Sequence, residues 1–230
     1  MKIIKENEFR KKTEKQIGKE CYSIALANEF IDTEKAFVGH IFGNSDFQRF
    51  FAIDDADDIM GFTVIEFPKL KDITLCYIGI VFIDKNSQGL GLSKRLMTKA
   101  VRESGVNPDV IALRTQNARM FGSFVDNFQG LSFPNPEFET PNEVIGIVRR
   151  LQCAKDIDGI QNLSADLIVK RAYPNSFLHQ PSRNSFANQI CSSLGEQDAV
   201  VPTIITNSGR EKILGKLIYR SGNNGISGIA

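Results

Sequence analysis

The stretch "FIDKNSQGLGLSKRLMTKAV", residues 82–101, decides the fold of this chain. An apolar run ends here, a polar turn follows, and Gly89 and Gly91 stand where a helix should begin. Glycine inside a helix costs about 1 kcal/mol relative to alanine, so a helix gains nothing from this pair. The first turn of a helix, however, has unpaired N–H groups and the positive end of the helix dipole. A turn without side chains lets an anionic group contact that backbone directly, so we predict a phosphate-binding turn.

The elements on both sides of this turn form one crossover unit. The segment "ITLCYIGIVFI", residues 73–83, is apolar on both faces, as is typical of a strand in the middle of a covered sheet. After the turn comes an amphipathic helix, and "VIALRTQN", residues 110–117, supplies the next strand. A strand, a helix and a second strand in this order predict that the two strands are parallel neighbours.

Helices and strands also alternate in the flanking sequence. Residues 13–30 predict a helix, Thr33 is placed to cap a second one, and residues 47–67 predict a hairpin. The four aspartates in its turn lack the spacing, the glycine and the distal glutamate of a calcium loop, which favours a solvated turn. Two weak strands are predicted later, in residues 164–175 and 199–206.

Composition excludes several classes of function. With 28 basic and 27 acidic residues the formal charge is +1, which leaves no electrostatic footprint for nucleic acid or an anionic membrane. No apolar run approaches the roughly 18 residues of a membrane span, and the N-terminus lacks the apolar core of a secretory signal. Four widely spaced cysteines without a CxxC pair and two histidines predict neither a metal site nor a disulfide framework. We therefore expect a cytoplasmic protein with free thiols.

Two common phosphate-binding motifs do not fit the glycine turn. A Walker loop requires GK[ST], which does not follow here. In the dinucleotide fingerprint GxGxxG the third glycine would fall at Lys94. A ligand that carries a pyrophosphate but is neither NAD nor ATP fits the turn better.

The segment "QGLGLS", residues 88–93, resembles the Q/R-x-x-G-x-G/A acyl-CoA signature of the GNAT superfamily of N-acyltransferases, with Ser93 in place of the usual final Gly or Ala. The strand "CYIGIVFI" and the later "RTQNARMFGSF" are similar to the fourth strand, the fifth strand and the following helix of that family. The resemblance covers roughly residues 50–130 and extends less specifically from residue 1.

The resemblance implies an α/β fold with a mixed, mostly antiparallel central sheet, a parallel splayed strand pair and flanking helices. It predicts an acyl-CoA-binding domain over residues 1–170. Residues 171–230 would then be a C-terminal elaboration that packs on the same domain and ends in a flexible glycine-rich tail.

The same resemblance implies where acetyl-CoA, or another acyl-CoA, would bind. The pantetheine arm would lie between the splayed strands and pair with the exposed backbone edge of the fourth strand, and the pyrophosphate would sit on the backbone N–H groups of the glycine turn. Residues at the strand edge, in the turn and on the following helix make up this cofactor set: Val81, Phe82, Ile83, Gln88, Gly89, Gly91, Leu92, Ser93, Asn117 and Phe124.

The catalytic positions depart from the family pattern. Tyr77 stands where many members have a glutamate base, and a tyrosine with a pKa near 10 is a poor base at neutral pH. Phe124 stands where a tyrosine usually protonates the departing thiolate. Glu66 and His40 are the remaining candidates for a base acting through water.

Two classes of function remain open. The first is an acyltransferase that moves an acetyl or other acyl group from acyl-CoA to an amine. The second is a GNAT-fold module that binds CoA, or nothing, without catalysis. The intact glycine turn favours the enzyme and the missing proton carriers favour the module. The charge balance selects neither an acceptor nor an oligomeric state.

Overall fold

A computed structural model describes residues 1–9, 11–30, 33–137, 139–154, 166–169, 180–196 and 198–214. Its helices are α1 Glu14–Ala27, α2 Glu34–Phe42, α3 Leu92–Glu103, α4 Ala118–Val125, α5 Asn142–Ala154, α6 Ser185–Ser192 and α7 Asn207–Ile213. Its strands are β1 Lys2–Lys5, β2 Gln48–Ile53, β3 Ile59–Glu66, β4 Lys69–Leu70, β5 Ile73–Ile83, β6 Val110–Leu113, β7 Leu131–Phe133, β8 Ile168–Val169, β9 Ala199–Val200 and β10 Thr203–Ile205.

The central sheet has the strand order β1-β2-β3-β5-β6-β10-β7 in the described residues, and β4 pairs with the start of β5. Neighbouring strands are antiparallel except for β5 and β6, which are parallel. The predicted α/β class, with a mostly antiparallel sheet and one parallel pair around a crossover helix, is therefore confirmed.

Local sequence explains where the first helices and the hairpin begin. Thr13 and Gln16 form a reciprocal capping box at the start of α1, and the Thr33 hydroxyl accepts a hydrogen bond from the Ala36 N–H, as predicted. In the turn between β2 and β3, Asp54 Oδ1 accepts from the N–H groups of Ala56 and Asp58. This aspartate thus closes the hairpin turn with its side chain.

Helices cover both faces of the sheet. On one face α1 and α2 pack against β2 and β3, for example through Phe37 against Phe62. Further along the same face α5 packs with Tyr77 and Phe133 in a second cluster. On the opposite face α3 and α4 bury Leu96, Met97 and Phe124 against Cys76 and Ile78.

The C-terminal part of the described chain contributes to this sheet. Strand β10 lies between β6 and β7 and is antiparallel to both. Val200 and Ile204 are fully buried, each in a cluster that contains residues of α4. The predicted division at residue 170 remains a prediction. The end of the strand predicted over residues 164–175 and the glycine-rich tail lie outside the described residues.

Candidate active site

The parallel strands β5 and β6 separate halfway along β5. They pair from Leu75 opposite Val110 to Ile78 opposite Leu113. Beyond this point the chain after β6 pairs on its other side, where Thr115 and Val200 exchange two hydrogen bonds of 2.9 Å. In the described residues, the second half of β5 therefore has a strand partner only in β3, and on its other edge the ladder of strand pairing has a gap. The implied splayed pair is present.

A β-bulge lies where the strands separate. The register between β3 and β5 shifts so that Val64 faces Ile80 while Ile65 faces Ile78, which leaves Gly79 as the extra residue. Gly79 is exposed. A bulge leaves its residue outside the regular ladder, so backbone groups here are available to a ligand in the gap.

Glu66 and Tyr77, the two predicted catalytic residues, meet at this bulge. They are opposite each other in the register of β3 and β5 and so lie on the same face of the sheet. A Cβ built on Gly79 would be 3.8 Å from Glu66 Oε1 and 3.7 Å from Tyr77 Cε1. The Tyr77 side chain is 4% exposed, whereas Glu66 is half-buried. His40, in contrast, is exposed near the end of α2 with its ring against Phe47.

The glycine turn follows directly after β5 and a short 3₁₀ turn over Lys85–Ser87. Gly89 and Gly91 have φ angles of 84° and 69°, a left-handed conformation that favours glycine. Gly91 is the N-cap of α3, and a Cβ on either glycine would meet nothing within 4 Å. The positions that side chains would occupy at Gly89 and Gly91 are therefore open, and the turn leads straight into the first N–H groups of α3, which is compatible with the predicted anion site.

The other residues of the predicted cofactor set occupy different environments. Leu92 is buried in the core beneath α3, so only its backbone is available to a ligand, whereas Ser93 is half-exposed. Asn117 caps α4, because its Oδ1 accepts from the N–H groups of Arg119 and Met120 at 2.9 and 3.2 Å. Phe124 is fully buried, with its ring centroid 5.4 Å from that of Phe128. Their contacts with CoA remain predictions.

Two features of the site were not predicted from sequence. The Gln88 side chain binds Asn28 at the end of α1, with Nε2 donating to Asn28 Oδ1 at 2.9 Å. The chain between β7 and β10 also contacts the start of α4. The Gln180 carbonyl accepts a hydrogen bond from the Arg119 N–H at 3.0 Å, and Gln116 Nε2 donates to the carbonyls of Glu196 and Asp198. No local motif marks either contact, because both join segments that are distant in sequence.

Cys76 precedes Tyr77 but is not a candidate nucleophile. Its burial, with a smaller contribution from the nearby Glu66 carboxylate, raises the pKa of the thiol to about 12. The thiol is therefore protonated at neutral pH, and the thiolate is the nucleophilic form. Burial also raises the pKa of Cys191 to about 12 and raises that of Cys21.

Other kinds of site find little support in the described ranges. No group of three or more His, Cys, Asp or Glu residues there is arranged to hold a metal ion. None of the helices described is both long and apolar enough to cross a membrane. A cavity of about 380 Å³ opens between α4, α6 and the end of β7, but neither the glycine turn nor the Glu66–Tyr77 pair lines it.

Comparison with known proteins gives similarity at the level of solved structures. No protein family profile and no curated protein matches the sequence. The structure is similar to an aminoglycoside 6'-acetyltransferase type Ii (18% identity, TM-score 0.41, 50% of this chain and 72% of that one). It is similar to an aminoglycoside 6'-N-acetyltransferase complexed with coenzyme A (17%, 0.41), where it covers 50% of this chain and 62% of that one, less than two thirds.

A third similar structure is an acetyltransferase of the GNAT family from Staphylococcus aureus Mu50 (21% identity, TM-score 0.37, 54% of this chain and 76% of that one). The solved structures that are similar to this chain thus include an acetyltransferase of the GNAT family. The glycine turn of this chain resembles the acyl-CoA signature of that same superfamily.

Proposed function

We propose that this protein transfers an acyl group from acyl-CoA to an amine acceptor. The observation that carries this proposal is the position of the glycine turn. A turn with two left-handed glycines, whose Cβ positions are open, begins α3 after the splayed strand β5 and one short 3₁₀ turn. A phosphate-binding backbone and an open strand edge on consecutive elements suit a ligand with a pyrophosphate at one end and a peptide-like arm at the other.

The binding contacts in this proposal are made mostly by backbone. The pantetheine amides would pair with the open edge of β5 at Val81, Phe82 and Ile83, as a peptide adds to a sheet edge. The pyrophosphate would accept hydrogen bonds from N–H groups between Gln88 and Ser93. Lys94 and Arg95 are exposed in the first turn of α3 and add positive charge beside this position.

The proposed reaction is direct attack of the amine on the thioester. The amine nitrogen forms a bond to the acyl carbon, the carbon–sulfur bond breaks, and CoA leaves as a thiolate that takes a proton from water. The amine would lose a proton to water held by the Tyr77 hydroxyl or to the Glu66 carboxylate, since the side chains of both residues lie beside the bulge. Backbone N–H groups beside the gap would polarise the thioester carbonyl. Positioning supplies the rest of the rate acceleration.

A second candidate is a CoA-binding module without transferase activity. The specific observation in its favour is Phe124, which occupies the place of the family's proton donor and is fully buried in the core. In that case the glycine turn would bind CoA while neither Glu66 nor Tyr77 would act on an acceptor. For both candidates we propose a cytoplasmic location, where the buried thiols Cys21, Cys76 and Cys191 remain free.

The experiment that separates the candidates measures thiol release from acetyl-CoA with a panel of amines between about pH 6 and 10, a range that spans common amine pKa values. The enzyme proposal predicts release that depends on the amine. Glu66→Gln should lower turnover without changing the affinity for CoA. The control Glu103→Gln removes a carboxylate from the far end of α3, where it pairs with Lys99, and should change neither quantity. CoA binding without amine-dependent release would support the module, and absence of both would contradict both candidates.

A further inference from the structure

A hydrogen-bonded link joins the glycine turn to the end of α1. Gln88 Nε2 donates to Asn28 Oδ1 at 2.9 Å and approaches the Ile83 carbonyl at 3.4 Å. Asn28 Nδ2 in turn donates to the carbonyls of Ile24 and Ile83 at 2.8 and 3.0 Å. Two side-chain amides therefore connect the last residue of β5, the last turn of α1 and the residue that precedes Gly89.

This link crosses from one face of the sheet to the other. Helix α1 packs on the face that carries Glu66 and Tyr77, because Val64 and Phe62 belong to the cluster of α1 and α2 and alternate residues of a strand share a face. Helix α3, which the glycine turn begins, packs on the opposite face. Asn28 and Gln88 meet at the end of β5, where the strand leaves the sheet.

The end of α1 also contacts the open half of β5. Phe30, two residues after Asn28, packs edge-on against Phe82 with ring centroids 5.8 Å apart. The backbone from Asn28 to Phe30 is held in place by hydrogen bonds, since the N–H groups of both residues donate to the Ala25 carbonyl. A shift of Asn28 would therefore move a segment on the face of the sheet that carries Glu66 and Tyr77, which is the face where the acceptor amine would bind in the proposed reaction.

We propose that Asn28 and Gln88 are a positioning pair that couples the phosphate-binding turn to the acceptor side of the site. This inference rests on the function proposed above. The two glycines leave the turn with more conformational freedom than other residues would, and the amide of Gln88 restricts it from one side. A pyrophosphate on the N–H groups fixes the turn from the other side. Binding of CoA then orders the turn and, through Gln88 and Asn28, the end of α1. CoA and the amine acceptor therefore each raise the affinity of the protein for the other.

A purely structural role predicts a different behaviour. The two amides also satisfy the Ile83 carbonyl, and removal of a buried hydrogen bond lowers stability in any protein. Such a loss would not depend on a ligand. The distinguishing readout is therefore a response of residues 24–30 that occurs only when the turn is occupied.

The test is amide hydrogen exchange of the full chain with and without saturating CoA. In the wild type, CoA should slow exchange both in residues 89–95 and in residues 24–30. Gln88→Met, which keeps the length of the side chain but removes its amide, should retain protection at 89–95 and lose it at 24–30. Its affinity for CoA should fall about tenfold, the effect of roughly one hydrogen bond. Asn28→Ala should behave in the same way.

Gln48→Ala is the matched control, because Gln48 Nε2 donates to the Ser104 carbonyl at the other end of α3. It should keep the response of residues 24–30 to CoA. Protection at 24–30 that persists in Gln88→Met, or a wild type in which CoA protects only 89–95, would overturn the coupling and leave the proposed function intact. A wild type that shows no response to CoA in either segment would overturn the proposed function and this inference together.

Discussion

At the scale of single residues, the proposed chemistry depends on Tyr77 and Glu66. Both side chains lie beside Gly79, at the point where β5 separates from β6. The β-bulge decides this arrangement, because a one-residue change of register would move one of the two side chains to the other face. The two residues were candidates from sequence, but their position opposite each other was not predicted, since a register shift between paired strands has no local signal in either strand.

Tyr77→Phe should lower turnover by roughly 10- to 100-fold, toward the lower end of general-base contributions, because it removes the hydroxyl that would hold the proton-accepting water. The affinity for CoA should stay near that of the wild type, since the proposed CoA contacts are made by the backbone. Initial rates with a responsive amine, together with a CoA titration, measure both quantities. Unchanged turnover would show that the Tyr77 hydroxyl has no part in the reaction.

Phe124→Tyr tests whether a tyrosine at position 124 can supply the proton donor that the family usually has there. From sequence, a tyrosine here is expected to restore a donor near the leaving sulfur and to keep or raise turnover. The structure places the ring fully inside the core, so the new hydroxyl should lower the free energy of unfolding by about 1–3 kcal/mol. Urea denaturation measures this loss. Phe128→Tyr is the control, because Phe128 is only half-buried and should cost less. A stable Phe124→Tyr with faster turnover would place the ring at the site instead.

At the scale of elements, strand β5, the glycine turn and α3 were predictable from sequence. The change from an apolar run to helical periodicity, with two glycines between them, locates all three. The short strand β10 was much less evident. Its three residues pair with β6 about 90 positions earlier, and a strand of this length forms because its neighbours bury it and supply its hydrogen-bond partners.

Gly91→Glu and Gly105→Glu should each lower the free energy of unfolding and leave the protein folded. Both glycines flank α3, at its N-terminus and just beyond its C-terminus, with φ angles of 69° and 79° and no atom within 4 Å of a Cβ. Each substitution should cost about 1–2 kcal/mol for the left-handed conformation. Urea denaturation and far-ultraviolet circular dichroism should show two folded variants, with Gly105→Glu the less stable by up to about 1–2 kcal/mol because its carboxylate lies at the negative end of the α3 dipole. A loss of helix in Gly91→Glu alone would show that this turn is required for folding.

At the scale of the whole molecule, the C-terminal part of the described chain packs against the start of β6 through α7. Asp109, just before β6, is almost fully buried and accepts hydrogen bonds from the Thr74 N–H and from Lys212 Nζ, both at 3.0 Å. The Asp109 carbonyl also accepts from the Thr206 N–H, and Gly209 lets α7 approach so closely that a side chain there would collide with that carbonyl. These contacts join the start of β5, the start of β6 and α7, so the position of each element is fixed by the other two.

Lys212→Met should lower the free energy of unfolding by about 1–2 kcal/mol, because it leaves the buried Asp109 carboxylate with one charged partner fewer. The value is moderate because the Lys212 side chain is 56% exposed and water screens the pair. Lys99→Met is the control: its pair with Glu103 lies on the surface of α3 and should contribute less than about 0.5 kcal/mol. Equal urea midpoints for the two variants would contradict a structural role for the Asp109 contact.

The most direct test of the central claim, that the glycine turn binds the pyrophosphate of CoA, is a calorimetric titration of CoA into the wild type, Gly91→Glu and Gly105→Glu. The wild type and Gly105→Glu should bind CoA equally. Gly91→Glu should bind about 100-fold more weakly, since loss of two hydrogen bonds to a charged group at about 1.5 kcal/mol each corresponds to that factor. Equal affinity in all three proteins, or no binding to the wild type, would contradict the claim.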